Sequence, residues 1–134
     1  MTAVERSTLV RALSAIVGPQ HVIHQPEDLL VYEYDAAVDR ALPDLVVLPA
    51  TTDEVARIVK LADRERMPVV PRGAGTGLSG GSVPIDGGLT VVLSRMRHIL
   101  EIDVPNRLAV VEPGVVNVAL SNAVARYGLY YAPD

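Results

Sequence analysis

The sequence predicts a domain of mixed α and β structure, a sheet with helices packed on it. Apolar runs at residues 45–48 and 67–70 flank a segment of helical periodicity, and so short a crossover favours a parallel pair of strands. Two further runs, at residues 99–103 and 108–111, are separated by the turn Val104-Pro-Asn-Arg107 and read as an antiparallel hairpin. Phe and Trp are absent from the 134 residues. Val, Leu, Ile and Ala must therefore fill the core, as in sheets covered by helices.

Each element follows from its own residues. Ser7 reads as the cap of a first helix with Leu9, Val10, Leu13, Ile16 and Val17 on one face, stopped by Gly18-Pro19. Residues 20–44 are irregular apart from a short helical stretch at 27–32. Pro49 ends the strand at 45–48. Thr51 and Glu54 then have capping-box spacing and open a helix whose face is Val55, Ile58, Val59 and Ala62. Residues 67–70 form the next strand and residues 89–93 another. Glu112-Pro113-Gly114-Val115 breaks the returning strand of the hairpin. A last helix from about Asn117 to Tyr127 presents Val118, Leu120, Val124 and Tyr127, with Gly128 at its C′ position.

Composition narrows the function classes. The length is that of one domain, and 49% hydrophobic residues with a mean hydropathy of +0.28 exclude a disordered chain. A net charge of −4 gives no support to nucleic-acid binding, but does not oppose an anionic cofactor held by local amides. With no cysteine there is no disulfide, thiolate metal site or iron–sulfur ligation within these residues, which suits an intracellular setting. No signal peptide is visible and no apolar run approaches the length of a membrane span. His21 and His24 lack the partners of a metal site and are read as solvent-facing or capping residues; His98 is read as a turn residue.

The densest signal is PRGAGTGLSGGSVP at 71–84, where five of the ten glycines fall within nine positions directly after a strand. Such a loop can take positive φ angles and bring successive N–H groups against the oxygens of a phosphate or pyrophosphate. A nucleotide cofactor is the first expectation. Gly75-x-Gly77-x-x-Gly80 fits a dinucleotide fingerprint with Glu101 downstream, but that motif must open into a long helix, and here Pro84, Gly87-Gly88 and a strand follow. A Walker A loop would need a lysine where Gly81 stands. A hydrolase elbow at Ser79 would need a helix and later triad partners, of which only His98 is present.

The ordered set PATTDEVARIV (49–59), PRGAGTGLSGGSVP (71–84), LSRMRHILEID (93–103), VVEPGV (110–115) and GLYYAPD (128–134) closely resembles the FAD-binding domain of the FAD-linked oxidases, of the PCMH type. Within that group it is most similar to the flavoprotein subunits of glycolate oxidase and the related D-lactate and D-2-hydroxyacid dehydrogenases. The likeness runs from about Asp44 to the end and divides the chain into an N-terminal helical segment, 1–43, and an incomplete FAD-binding domain, 44–134. It implies a two-lobed α+β fold, of which the first lobe and the start of the second are present. It also implies a C-terminal substrate domain carrying the catalytic histidines, so that no catalytic residue or metal ligand is assigned among the 134.

The resemblance places Gly73, Ala74, Gly75, Thr76, Gly77, Leu78, Ser79 and Gly80 around the pyrophosphate of FAD. Thr76 and Ser79 add hydroxyl donors, and Arg72 offsets phosphate charge, its alternative being a surface salt bridge. Glu112, Pro113, Gly114 and Val115 resemble a second cofactor-contacting turn, and Pro133 with Asp134 a segment near the flavin. Some related flavoenzymes attach FAD through a histidine of the glycine loop. This loop has none, with Thr76 in that region, so FAD is expected to be non-covalent. Tyr32, Tyr34 and Asp35 resemble an N-terminal family segment and are read as packing.

The activity implied is oxidation of a small 2-hydroxy acid, of glycolate or D-lactate type, to the 2-oxo acid. Electrons would pass to a partner subunit such as an iron–sulfur protein. A cytoplasmic location is implied, with association at the inner face of the membrane through partners. Rival readings are an FAD-linked oxidase of another substrate class, as in alkyl-glycerone-phosphate synthases, cytokinin dehydrogenases and sugar-lactone oxidases, and a non-catalytic nucleotide-binding module.

Overall fold

The computed structural model describes residues 3–132. Helix α1 (Ala3–Val17) buries Leu9, Leu13 and Val17, a four-residue spacing that keeps them on one face. Ser7 is not its cap. The helix starts at least a turn earlier, and the Ser7 hydroxyl donates back to the Val4 carbonyl at 2.9 Å, as serine does inside a helix. Gly18, at φ 89°, ends it.

Strands β1 (Val22–Ile23), β2 (Leu45–Val47), β3 (Val69–Arg72) and β4 (Leu89–Val92) form one sheet in the order β1-β2-β4-β3. β1 is antiparallel to β2, and the other three run parallel. β2 and β3 thus have the expected relative direction but are not neighbours. Leu89 of β4 lies opposite both Leu45 and Val69. All four residues of β4 are buried, and a strand with no exposed face belongs in the middle of a covered sheet. β3 starts two residues later than its apolar run, because the Met67 N–H closes the preceding helix on the Ala62 carbonyl at 2.8 Å.

One face of the sheet, with Leu45, Val47, Leu89 and Val91, packs on α1 and on α3 (Thr52–Arg64). Residues from both sides of position 43 share this cluster, Leu9, Leu13, Val17 and Val22 among them. The Thr51 hydroxyl accepts the Glu54 N–H at 3.2 Å, as the capping spacing requires, but the Glu54 carboxylate reaches past Thr51 to the Ala50 N–H at 2.6 Å. Ile58, Leu61 and Ala62 are the buried residues of α3. Val59, one residue beyond Ile58 and so about 100° around the axis, is exposed.

The opposite face, with Val46 and Val92, is covered by Leu29, Ile23, Leu48 and Tyr32. Leu29 ends the short α2 (Pro26–Leu29), and a 3-10 turn follows from Leu30 to Tyr32.

Beyond the sheet, β5 (Ile99–Asp103) and β6 (Leu108–Val111) make the expected antiparallel hairpin. The Asp103 carboxylate accepts from the Asn106 side chain and backbone at 2.7 and 3.1 Å; these bonds hold the turn and, the side-chain one first, keep the carboxyl below its ordinary range. Helix α4 (Asn117–Val124) ends through a 3-10 turn at Gly128, φ 70°. Leu120 and Val124 border an open cavity of about 460 Å³ shared with Ile102, Leu108 and Ala109 of the hairpin. Val118 and Tyr127, expected on the same face, are exposed, because the hairpin covers only one side of this helix.

Candidate cofactor-binding site

Since β2, β4 and β3 run parallel, their carboxyl ends lie along one edge, where open α/β sheets bind ligands. The glycine loop leaves that edge from Arg72, the last residue of β3. The Leu93 N–H, just past the end of β4, donates to the Arg72 carbonyl at 2.9 Å and fixes the point of departure.

The loop surrounds an open cavity of about 340 Å³ lined by Gly73, Ala74, Gly75, Thr76, Gly77, Ser79 and Gly81, together with Ser82 and Asp35. Leu78 and Gly80 do not line it, and Leu78 is 80% exposed. No N–H from Gly73 through Gly81 donates a hydrogen bond to any described residue. A run of free amides is the donor set that phosphate oxygens require. A Cβ at Gly73, Gly77 or Gly81 would meet nothing within 4 Å, and none of the three has a positive φ. The protein's own packing does not call for glycine there. A ligand that approaches the backbone closely does, so the residues fit a pyrophosphate.

Gly75 is different. It stands at φ 71°, and a Cβ on it would overlap the Arg72 guanidinium. Arg72 is buried, donates from Nη1 to the Tyr34 carbonyl at 2.7 Å, and lies 5.8 Å from the centre of the Tyr32 ring. It is therefore not the surface ion pair of the alternative reading. Nor does it line the cavity; it underlies the loop from the sheet side. Burial raises the Tyr32 phenol, with the Arg72 charge opposing.

Residues 34–37, irregular in the sequence, back the loop. The Ala36 N–H donates to the Gly77 carbonyl at 3.1 Å, and Asp35 accepts from the Ala37 N–H at 2.7 Å and from the Ser82 hydroxyl at 3.2 Å. The Ala37 bond above all, with help from Ser82 and the Arg72 charge, holds the Asp35 carboxyl below its ordinary range. The signal that could have found this segment is Asp35-Ala-Ala, since an Asp bonds the N–H two residues on and turns the chain.

The second expected turn lies apart from the cavity. Gly114 sits against backbone: a Cβ there would come within 2.5 Å of the Leu93 carbonyl and 2.7 Å of the Met96 carbonyl. Glu112 accepts from the His98 N–H and ring Nδ1, each at 2.7 Å, and its N–H donates to the His98 carbonyl. The His98 backbone bond first, then the ring, lowers the Glu112 carboxyl. His98, read from the sequence as a turn residue, thus anchors this turn. Pro113 and Val115 make no contact with the glycine loop cavity. Leu93 is the link between the two turns, bonded to Arg72 and packed under Gly114. Pro133 and Asp134 lie outside the described residues. His21 and His24 use backbone carbonyls, to the Leu48 N–H and the Arg6 guanidinium, and no group of metal-ligating residues occurs among the described residues. No helix there is long and apolar enough to cross a membrane.

Comparison with known proteins agrees with this geometry. Residues 43–134 match a family model described as an FAD binding domain. The glycolate oxidase subunit GlcD of Escherichia coli K12 is 45% identical over 132 residues, 98% of this chain and 26% of that protein. GlcD of Bacillus subtilis is 42% identical over 91% of the chain and 26% of its own length, and a D-lactate dehydrogenase of Anaerostipes hadrus 36% over 88% and 25%. Among solved structures, p-cresol methylhydroxylase with substrate bound superposes with a TM-score of 0.84 at 25% identity, and 4-ethylphenol oxidase from Gulosibacter chungangensis with 0.84 at 28%. Each covers 96% of this chain and 26% of the other. The chain thus spans about a quarter of the length of the relatives it matches. With a glycine loop of free amides on the carboxyl edge of a mixed sheet, this chain belongs to the FAD-binding domain family, of PCMH-type α+β fold, and FAD is its cofactor.

Proposed function

We propose that this chain holds the pyrophosphate of FAD within a flavoenzyme that oxidises a small 2-hydroxy acid, of the glycolate or D-lactate type, to the 2-oxo acid. The observation that carries the binding part is the run of free N–H groups from Gly73 to Gly81, all but those of Leu78 and Gly80 on residues that line one cavity. The substrate class is supported by the likeness to the glycolate oxidase and D-lactate dehydrogenase relatives.

The flavin, when bound, supplies the acceptor for the two electrons of the alcohol carbon. The protein's part is to bind and orient it. The amides of Gly73, Ala74, Gly75, Thr76, Gly77 and Ser79 face the phosphate oxygens, with Thr76 and Ser79 adding hydroxyl donors, while Leu78 and Gly80 serve the path of the loop. Arg72 acts from beneath, through its charge and its hold on Gly75. Glu112, Pro113, Gly114 and Val115, with Pro133 and Asp134, form the second region against the cofactor. The binding is non-covalent, since no histidine lies in residues 71–84. An electron-accepting partner subunit, an iron–sulfur protein, receives the electrons, and the enzyme works in the cytoplasm or at the inner face of the membrane through that partner.

A chimera tests this. The matching 132 residues of the E. coli glycolate oxidase subunit are replaced by this chain, at 45% identity. The chimera should retain FAD and oxidise glycolate or D-lactate with an artificial acceptor. A folded chimera without flavin would remove the binding assignment. The substrate class is tested instead on the whole flavoenzyme that contains these residues with its own substrate domain: oxidation of neither acid, but of a phenol or another alcohol, would overturn it.

A further inference from the structure

The segment Tyr34 to Ala37 touches the glycine loop at three points: its base, through Arg72 Nη1 on the Tyr34 carbonyl at 2.7 Å; its middle, through the Ala36 N–H on the Gly77 carbonyl at 3.1 Å; and its far end, through Asp35 Oδ2 on the Ser82 hydroxyl at 3.2 Å. Only one side chain of the segment takes part, that of Asp35, which is 5% exposed. Its other oxygen, Oδ1, accepts the Ala37 N–H at 2.7 Å and so turns the backbone that carries the Ala36 N–H. The bond to Gly77 has a consequence for the loop. In a trans peptide the carbonyl and the following N–H point in opposite directions. Pinning the Gly77 carbonyl to Ala36 therefore aims the Leu78 N–H away from the segment.

From these contacts we infer that Asp35 is a positioning residue for the glycine loop, fixing through two hydrogen bonds the shape in which residues 73–81 present their free amides to an anion. This rests on the assignment of the loop to pyrophosphate. Without the clamp, a loop with five glycines has many conformations of similar energy, and a ligand must order it at a cost in entropy. Asp35 works by geometry and against charge, since its carboxylate lines the same cavity an anion would enter. Asparagine can reproduce the bonds to Ala37 and the Ser82 hydroxyl, accepting through Oδ1 and donating through Nδ2, and loses only the carboxylate's hold on the Ser82 N–H. Alanine can make none of these.

The experiment uses the ¹⁵N-labelled chain, with backbone order parameters measured across residues 72–83 and inorganic pyrophosphate then titrated by amide shifts. In the parent the loop should be ordered, with shifts concentrated at residues 73–81. Asp35→Ala should drop the loop order parameters below about 0.6 and weaken pyrophosphate at least about tenfold, near 1.4 kcal/mol. Asp35→Asn should keep the loop ordered and bind pyrophosphate as tightly as the parent or more so. Should Asp35→Ala prove unfolded, Ser82→Ala removes a single bond and should loosen residues 78–82 alone. A loop as ordered in Asp35→Ala, or in Ser82→Ala, as in the parent overturns the inference. So does an Asp35→Asn protein as loose as the alanine variant. If the parent binds no pyrophosphate, the pyrophosphate assignment fails and takes the ligand role of Asp35 with it, whereas order parameters that change without a change in affinity sink the positioning role alone.

Discussion

The guanidinium of Arg72 occupies the space into which any side chain on residue 75 would grow. A Cβ on Gly75 would fall 2.5 Å from Arg72 Cζ, and the backbone there stands at φ 71°. The first strand-end residue of the loop thus decides which residue the third position beyond it can be. Arg72 is itself held by the Tyr34 carbonyl and cannot swing away freely.

This relationship separates two glycines that look alike in the sequence. Gly75→Ala should destabilise the chain by about 1–3 kcal/mol, from the left-handed backbone and the displaced guanidinium. Gly77→Ala meets open space at an ordinary φ and should leave the urea midpoint nearly unchanged. In a flavin-binding context both should weaken FAD, the second with no loss of fold. Equal midpoints for the two variants would contradict the packing of Arg72.

The Thr90 hydroxyl, fully buried on β4 inside the sheet, has no hydrogen-bond partner among the described residues. Val46 and Val70 lie opposite it in the register. Thr90→Val keeps the shape and removes the unpaired group, so it should stabilise the fold by about 1 kcal/mol. Chemical denaturation with an unchanged m-value would show it; a destabilised variant would mean that the hydroxyl is satisfied in solution.

Acid should loosen both loops before the core. The carboxyls of Asp35 and Glu112 are lowered in the folded protein, so each contributes stability that is fully present above the ordinary carboxylate range. That contribution is lost as pH falls from about 4 through their lowered values. Glu112→Gln should flatten part of this decline without altering stability trends above pH 6. A parent whose urea midpoint is constant between pH 5 and pH 2 would refute the lowered values.

Calorimetric titration of residues 1–134 with FAD should give a Kd weaker than about 10 μM, and glycolate or D-lactate oxidation should be absent. The pyrophosphate loop and the second turn bury only part of the cofactor's surface, and binding still has to overcome the ordering of loop and ligand. Submicromolar binding, or any turnover, would show that these residues suffice. Where FAD does bind, in the chimera, denaturation should release all of it into the supernatant, because the loop has no histidine to bond it.

Much of this was legible in the chain. Periodicity and turn residues located nearly every helix and strand, because those signals are local: the Thr51 cap, the turn residues between the runs at 99–103 and 108–111 and the stop at Gly128 each depend on a few neighbouring residues. The glycine density and the five ordered motifs marked the site and the family. What failed was start points and faces. Ser7, Val59, Val118 and Tyr127 were misplaced because a cap or a buried face depends on what lies upstream or alongside.

The sequence by itself determined the kinds of element, the loop and the family of the cofactor site, since backbone chemistry and ordered motifs are written along the chain. Only the tertiary structure decided that β4 enters between β2 and β3, that Arg72 turns inward under Gly75, and that Tyr34, Asp35 and Ala36 clasp the loop from some 40 residues upstream. These depend on which buried faces cover one another and on which backbone groups are left to pair. Such pairings are long-range: a local signal such as Asp35-Ala-Ala marks a turn, but one chain read in order does not say what that turn will pair with.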